Sequence, residues 1–168
     1  MIFSFLKKTK PSKVLKNNII SDNEIKEELK NKGYSIAKIE SDFLKKLTLI
    51  FEQNHSFNED VGSMFYSVYS QNIHYRRKIN IEIDNILKPF YDNLFNNYKT
   101  VLNSFIVKTP GKGSEFQPHQ DSTGLDETIY SPLSIWIPLD DVNESNGCIF
   151  LIPKSHHLAP IYRGISMK

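Results

Sequence analysis

The sequence predicts a mixed α+β fold in which helices come first and strands follow. Apolar residues recur at helical spacing in three stretches before residue 99, whereas the chain from Thr100 onward is rich in β-branched residues and turn-forming loops. Apolar residues make up 39% of the chain and aromatic residues 12%, which is too hydrophobic for a disordered protein. We therefore expect a single domain with N-terminal helices packed on a strand-rich module.

Composition narrows the class of protein. The net charge of +2 arises from 21 basic and 19 acidic residues spread along the chain, so it predicts neither a nucleic-acid partner nor a membrane surface. A lone cysteine, Cys148, excludes an internal disulfide, and no apolar run approaches the roughly 20 residues that cross a bilayer. The first residues place apolar side chains before lysines, the reverse of a secretory signal, so a cytoplasmic location is expected.

The first predicted helix spans residues 22–32. Ser21 and Glu24 have the spacing of a capping box at its start, and Gly33 is typical of a helix end. We expect this helix to serve as scaffold.

A short strand and a second helix are predicted next. Residues 34–39 alternate well enough for a strand, and Ser41 begins a helix. Four apolar residues of that helix fall on one face: Phe43, Leu44, Leu47 and Ile50.

The middle of the chain is harder to interpret. Residues 57–79 have no clean period and are expected to be irregular, whereas residues 80–98 return to helical spacing. Pro89 lies inside this third predicted helix and should kink or break it.

A strand-rich module is predicted from residue 100. A turn-forming loop at 110–114 follows its first strand, and later loops are rich in Asp, Asn, Ser and Gly. The four predicted strands are 101–108, 116–121, 132–139 and 148–152. Their spacing is typical of a jelly roll or related barrel.

His119 and Asp121 are the candidate metal ligands. Residues two apart in a strand point to the same face, so this imidazole and this carboxylate can reach one point. A face of two histidines and one carboxylate leaves positions open for dioxygen and a co-substrate, and it suits iron(II) oxygenases. The spacing alone occurs often by chance, and a surface pair in a loop is the alternative.

Three ordered segments carry a family resemblance: Phe116-Gln-Pro-His-Gln-Asp121, Leu133-Ser-Ile-Trp-Ile-Pro-Leu-Asp-Asp141 and Glu144-Ser-Asn-Gly-Cys-Ile-Phe-Leu-Ile-Pro-Lys-Ser-His156. Together they resemble the phytanoyl-CoA dioxygenase family, whose members depend on iron(II) and 2-oxoglutarate and share a double-stranded β-helix (jelly-roll, cupin-like) barrel. The resemblance covers residues 101–157 and implies a dioxygenase that uses dioxygen to hydroxylate a small molecule.

The resemblance also implies residue roles. His119 and Asp121 would bind iron, and Trp136 and Gln120 would line the 2-oxoglutarate pocket. Trp136 has an equally good interpretation as a core residue, and strict alternation would turn Gln120 away from its neighbours. Family members that halogenate lack the carboxylate ligand, so Asp121 favours hydroxylation.

The third ligand is the missing element of this resemblance. In the family a second histidine lies on the seventh barrel strand and an arginine for 2-oxoglutarate follows it, whereas strand 148–152 would be the fourth. His156 and His157 match a family loop of sequence Pro-Gly-Ser-His, in which Lys154 replaces Gly, so neither is expected to be that ligand. Arg163 is no obvious substitute for the arginine.

These considerations give the expected organisation. A basic tail at 1–20 precedes one domain at 21–168, with a helical lead-in at 21–99 and a partial barrel at 100–168 that is incomplete at its C-terminal end. The enzyme would then be truncated and weakly active or inactive. The alternative is a non-catalytic binding or interaction module, and either form could self-associate through exposed strand edges. A cupin-like isomerase or sugar-binding protein ranks last.

Overall fold

The computed structural model describes residues 2–3, 19–55, 64–110, 113, 115–119, 121 and 130–157, with the backbone alone for residues 2–3. Over this part of the chain it contains three α-helices and five short strands. The helices are α1 (Asn23–Lys32), α2 (Ser41–Asn54) and α3 (Ile73–Leu94). The strands are β1 (Ile2–Phe3), β2 (Tyr34–Ser35), β3 (Met64–Tyr66), β4 (Ile106–Lys108) and β5 (Ser134–Ile135).

Helix α1 confirms the first predicted helix but corrects its cap. The capping residue is Asp22, whose Oδ1 accepts hydrogen bonds from the backbone N–H of Glu24 at 2.7 Å and of Ile25 at 3.1 Å. Ser21 lies one residue too early, and the carboxylate of Asp22 also complements the positive end of the helix dipole. At the other end Gly33 has φ 85° and donates to the Leu29 carbonyl at 3.0 Å, as predicted.

Helix α2 begins at Ser41 as predicted, but α3 begins earlier than its pattern indicated. Asn72 caps α3 by accepting from two backbone N–H groups of the first turn, so the predicted irregular region is wrong for residues 73–79. The basic run from Arg76 to Lys78 hid the period, since the buried face of this helix is carried by every fourth residue beginning at Ile79.

Pro89 lies inside α3 and the helix continues to Leu94, so of the expected kink or break the break is wrong. Pro89 removes one backbone donor and leaves the carbonyl of Asn85 without its helical partner. Both residues are exposed, so water can satisfy that carbonyl. None of the helices in the described part of the chain combines the length and apolar composition that a membrane span requires.

The hydrophobic core lies among the three helices. Residues 19–21 enter it beside the end of α3, where Ser21 donates to the Leu94 carbonyl at 2.9 Å and Asn96 to the Ile19 carbonyl at 2.8 Å. The buried cluster consists of Ile20, Ile25, Leu29, Leu47, Ile79, Ile83, Leu87, Tyr91, Phe95 and Phe105. The three helices therefore share one core with the segments that contain Ile20 and Phe105.

The strands form two small antiparallel sheets. One has the order β2-β1-β5, and the other pairs β3 with β4 through Phe65 opposite Val107. Strand β3 lies in the region predicted to be irregular, whereas the strands predicted at 34–39 and 101–108 are reduced to β2 and β4.

The expected barrel is not confirmed in the described residues, although the mixture of helices and strands is. The predicted strand at 148–152 has no strand pairing, nor do the described residues of 116–121, and the one at 132–139 shortens to β5. An alternating pattern marks extended backbone, but a strand forms only when another segment supplies its hydrogen bonds. The alternation itself is present, because the residues packing on the core there are Leu133, Ile135, Ile137 and Leu139.

Candidate metal-binding site

His119 and Asp121 lie together in the structure. The His119 Nε2 atom is 3.3 Å from Oδ1 of Asp121, and both side chains are partly exposed to solvent. The two residues have no strand pairing, so this proximity comes from an irregular loop rather than from the predicted strand face. The predicted convergence is therefore seen, but the predicted reason for it is not.

A backbone carbonyl fixes the state of the other imidazole nitrogen. Nδ1 of His119 lies 2.8 Å from the carbonyl oxygen of Gln117, which can only accept a hydrogen bond. Nδ1 must therefore carry the proton in this contact, and a neutral His119 presents a lone pair at Nε2. This arrangement of carbonyl and imidazole is common around metal-binding histidines.

The remaining atoms favour a cation between them. With Nε2 unprotonated, an acceptor nitrogen lies 3.3 Å from a carboxylate oxygen, and two such acceptors repel each other unless a proton or a metal ion binds both. Two ligands bound at about 2.1 Å to one metal ion, at right angles, lie about 3 Å apart. The donor types and their separation therefore fit two neighbouring positions on one transition metal.

No third ligand joins this pair in the described residues. Among the described histidines, cysteines, aspartates and glutamates, no group of three could hold a metal ion. Within the described residues the His119–Asp121 pair therefore supplies two ligands.

An aromatic contact supports the imidazole from one side. The rings of Phe116 and His119 have centroids 5.1 Å apart with an interplanar angle of 31°. Phe116 in turn meets Tyr66 of β3 edge-on, at 6.1 Å and 86°, and Tyr66 contacts Tyr69 at 5.3 Å. Burial raises the pKa of Tyr66, and the neighbouring Tyr69 adds to this shift.

Sequence reasoning missed this support. Phe116 stands in the quoted motif at helix-like spacing from His119, but Tyr66 belongs to a distant segment expected to be irregular. The pairing of β3 with β4 places Tyr66 opposite Ile106, in the strand that precedes the Phe116 segment, and the sequence pattern carried no signal for it.

Trp136 and Gln120 were predicted to line a 2-oxoglutarate pocket. Trp136 follows β5 between Ile135 and Ile137, which pack on the core, so alternation places Trp136 on the opposite side of the chain. Gln120 lies outside the described residues.

His156 lies at the C-terminal end of α1. Its buried imidazole donates from Nε2 to the Lys30 carbonyl at 3.1 Å, and Lys154 donates its backbone N–H to the Lys32 carbonyl at 2.8 Å. Burial lowers the pKa of His156, and the neighbouring His157 adds to this shift. The loop therefore satisfies helix carbonyls that would otherwise lack partners.

Comparison with known proteins places the chain in a family. The family model described as phytanoyl-CoA dioxygenase (PhyH) matches residues 67–167. Phytanoyl-CoA dioxygenase 1 of Oryza sativa subsp. japonica is 36% identical over 85 residues, which are 45% of this chain and 30% of the rice protein. Phytanoyl-CoA dioxygenase of Arabidopsis thaliana is 34% identical over 85 residues, with the same shares of the two chains.

An animal relative matches over a shorter segment. Phytanoyl-CoA dioxygenase domain-containing protein 1 of Danio rerio is 41% identical over 54 residues, which are 32% of this chain and 19% of the fish protein. The chain thus spans less than a third of the length of each of these relatives. No solved structure gives a significant match. Because the family model covers more than half of the sequence, including the His119–Asp121 pair, the chain belongs to the phytanoyl-CoA dioxygenase family.

Proposed function

We propose that this chain carries part of the active site of an iron(II)- and 2-oxoglutarate-dependent dioxygenase that hydroxylates a small molecule. One observation carries the proposal: Nε2 of His119 and Oδ1 of Asp121 converge to 3.3 Å inside the segment that matches the family. In this role His119 and Asp121 bind iron, which together with 2-oxoglutarate supplies the activation of dioxygen. Asp121 occupies a ligand position and so favours hydroxylation over halogenation.

Trp136 and Gln120 are proposed to line the 2-oxoglutarate pocket. The support for Trp136 is its position on the side of the chain opposite the core-facing residues of its segment. The protein's share of such chemistry is to orient the co-substrate and keep side reactions out.

The small number of protein ligands lowers the expected activity. Among the described residues the His119–Asp121 pair gains no third histidine or carboxylate, and two protein ligands hold a metal ion less firmly than three. With these two ligands alone, the site is weakly active or inactive. The same observation favours a second candidate, a non-catalytic binding or interaction module that keeps part of the oxygenase fold.

Anaerobic titration with iron(II) and 2-oxoglutarate distinguishes the candidates. A dioxygenase site should develop the visible charge-transfer absorption of chelated 2-oxoglutarate, and His119→Ala and Asp121→Ala should each abolish it. His74→Ala is the matched control, since His74 is exposed on α3 and should leave the absorption unchanged. Iron binding without the absorption supports the binding module, and no iron binding at all contradicts the proposed iron site.

Self-association and a cytoplasmic location are further parts of the proposal. Strands β2 and β5 are the outer strands of their sheet, and each has one edge with no partner among the described residues. Sedimentation equilibrium tests self-association, with a concentration-dependent dimer as the expected result.

Cell fractionation tests the cytoplasmic location, which the single cysteine favours.

A further inference from the structure

We infer that Phe116, braced by Tyr66, is a positioning residue that holds the His119 imidazole with Nε2 directed at Asp121. The inference rests on the proposed function in one respect only, namely that this orientation is the one that a metal ion requires. The ring contacts exist whether or not a metal binds. The two ideas can therefore fail separately.

The imidazole needs external support because of its place in the chain. His119 follows a stretch, residues 115–118, that forms no strand pairing, so no backbone ladder fixes the direction of its side chain. The torsion that rotates an imidazole about its last bond has a broad energy profile, unlike a staggered torsion between two sp³ carbons. Intrinsic preference therefore leaves the ring plane loosely defined.

Two contacts together define that plane. The Gln117 carbonyl holds Nδ1 at 2.8 Å, which fixes one edge of the ring. The ring of Phe116, inclined by 31° at a centroid distance of 5.1 Å, covers one face. A rotation that moved Nε2 away from Asp121 would break the first contact and tilt the imidazole against Phe116.

Phe116 is held by a firm part of the fold. It meets Tyr66 edge-on at 6.1 Å and 86°, a geometry that aromatic pairs favour. Tyr66 ends β3 and pairs with Ile106, and its neighbour Phe65 is buried. The chain next to Tyr66 is also secured, since Ser67 donates its backbone N–H to the Phe105 carbonyl at 2.9 Å.

The order of contacts is therefore core, β3, Tyr66, Phe116 and His119. Each aromatic pair contributes a modest free energy, so loss of the Phe116 ring should loosen the imidazole without unfolding the protein. In terms of metal affinity the expected loss is roughly three- to tenfold.

The first test needs no metal. In Phe116→Leu the side chain stays apolar but loses its ring, and ¹⁵N NMR of the imidazoles should show a smaller fraction of the Nδ1–H tautomer at His119. Phe116→Tyr keeps the ring and should restore the wild-type spectrum. Phe150→Leu is the matched control, because Phe150 is 76% exposed and lies outside these contacts.

The second test uses cobalt(II) alone as a spectroscopic probe under anaerobic conditions. Phe116→Leu and Tyr66→Leu should weaken cobalt binding roughly three- to tenfold, whereas Phe116→Tyr and Phe150→Leu should stay within about twofold of wild type. Circular dichroism confirms that each variant is folded.

The outcomes separate the inference from the proposed function. If wild type and His119→Ala bind cobalt equally, or neither binds, the metal site is wrong, and the NMR result alone decides the role of Phe116. An unchanged His119 spectrum in Phe116→Leu overturns the positioning role whatever the cobalt result. A changed spectrum that Phe116→Tyr does not restore also overturns it, because the effect then does not depend on the ring.

Discussion

The helical region at residues 19–105 and the loop-rich region at 106–157 differ in how they are packed. In the described part of the chain, every buried hydrophobic residue lies between Ile20 and Phe105. The later region contributes one buried side chain, that of His156, while Phe150 and Ile152 are 76% and 66% exposed. The proposed metal ligands belong to the less packed region.

The difference follows from where each element finds its hydrogen bonds. A helix satisfies its backbone internally and needs neighbours only for its apolar face, whereas a strand depends on another segment for every bond. Helices α1 to α3 therefore form a core of their own. The later strands pair only through β4 and β5 in the described residues.

Two matched substitutions should show the largest contrast. Ile79→Ala removes a side chain that is 1% exposed in α3 and should lower the free energy of unfolding by about 2–5 kcal/mol. Ile152→Ala makes the same chemical change at an exposed position and should cost less than about 0.5 kcal/mol. Urea denaturation measures both. Equal losses would show that the loop-rich region is packed as tightly as the helices.

Gly33 tests one of the contacts between the two regions. A Cβ at this position would overlap Nδ1 of the buried His156, and the φ of 85° is unfavourable for alanine. Gly33→Ala should therefore cost about 2–3 kcal/mol in the wild-type protein but only about 1 kcal/mol in a His156→Ala background. A double-mutant cycle by urea denaturation gives the coupling, and additive losses would contradict the close approach of His156 to α1.

His156 should also make stability depend on pH. Burial lowers its pKa from the ordinary value of 6.5, so the native imidazole stays neutral where the unfolded chain already binds a proton. The free energy of unfolding contributed by His156 is fully present above pH 6.5. It decreases as the pH falls below that value, by at most about 1.4 kcal/mol per pH unit. Denaturation at pH 7.5 and 5.5 should therefore show a steeper loss for wild type than for His156→Gln. Equal losses of stability in wild type and His156→Gln would contradict this role of His156.

Sequence patterns predicted the helical region better than the rest. Gly33 and the apolar spacing located α1, and Ser41 marked the start of α2. The start of α3 was missed because Arg76 and its basic neighbours obscured the period before Ile79. The strands were predicted too long, because an alternating pattern indicates extended backbone but does not show which segment pairs with it.

The candidate site was predictable only in its ligands. The spacing of His119 and Asp121 and the quoted motifs identified the pair, whose atoms do converge. The support from Tyr66 could not be predicted, since it depends on the pairing of β3 with β4 across a segment that showed no period.

The smallest expected effect tests the loop that meets α1. Lys154 has φ 65°, a left-handed conformation that is costly for a side chain with a Cβ, and the resembled family motif has glycine at this position. Lys154→Gly should therefore raise the free energy of unfolding by about 0.5–1 kcal/mol, because relief of this strain outweighs the greater freedom of glycine in the unfolded chain. Asn97→Gly is the control. Its φ is 50°, but asparagine tolerates that region, so thermal denaturation should show a smaller gain there. A loss of stability in Lys154→Gly would mean that the lysine side chain contributes contacts worth more than the strain, and that the glycine of the motif serves something other than this turn.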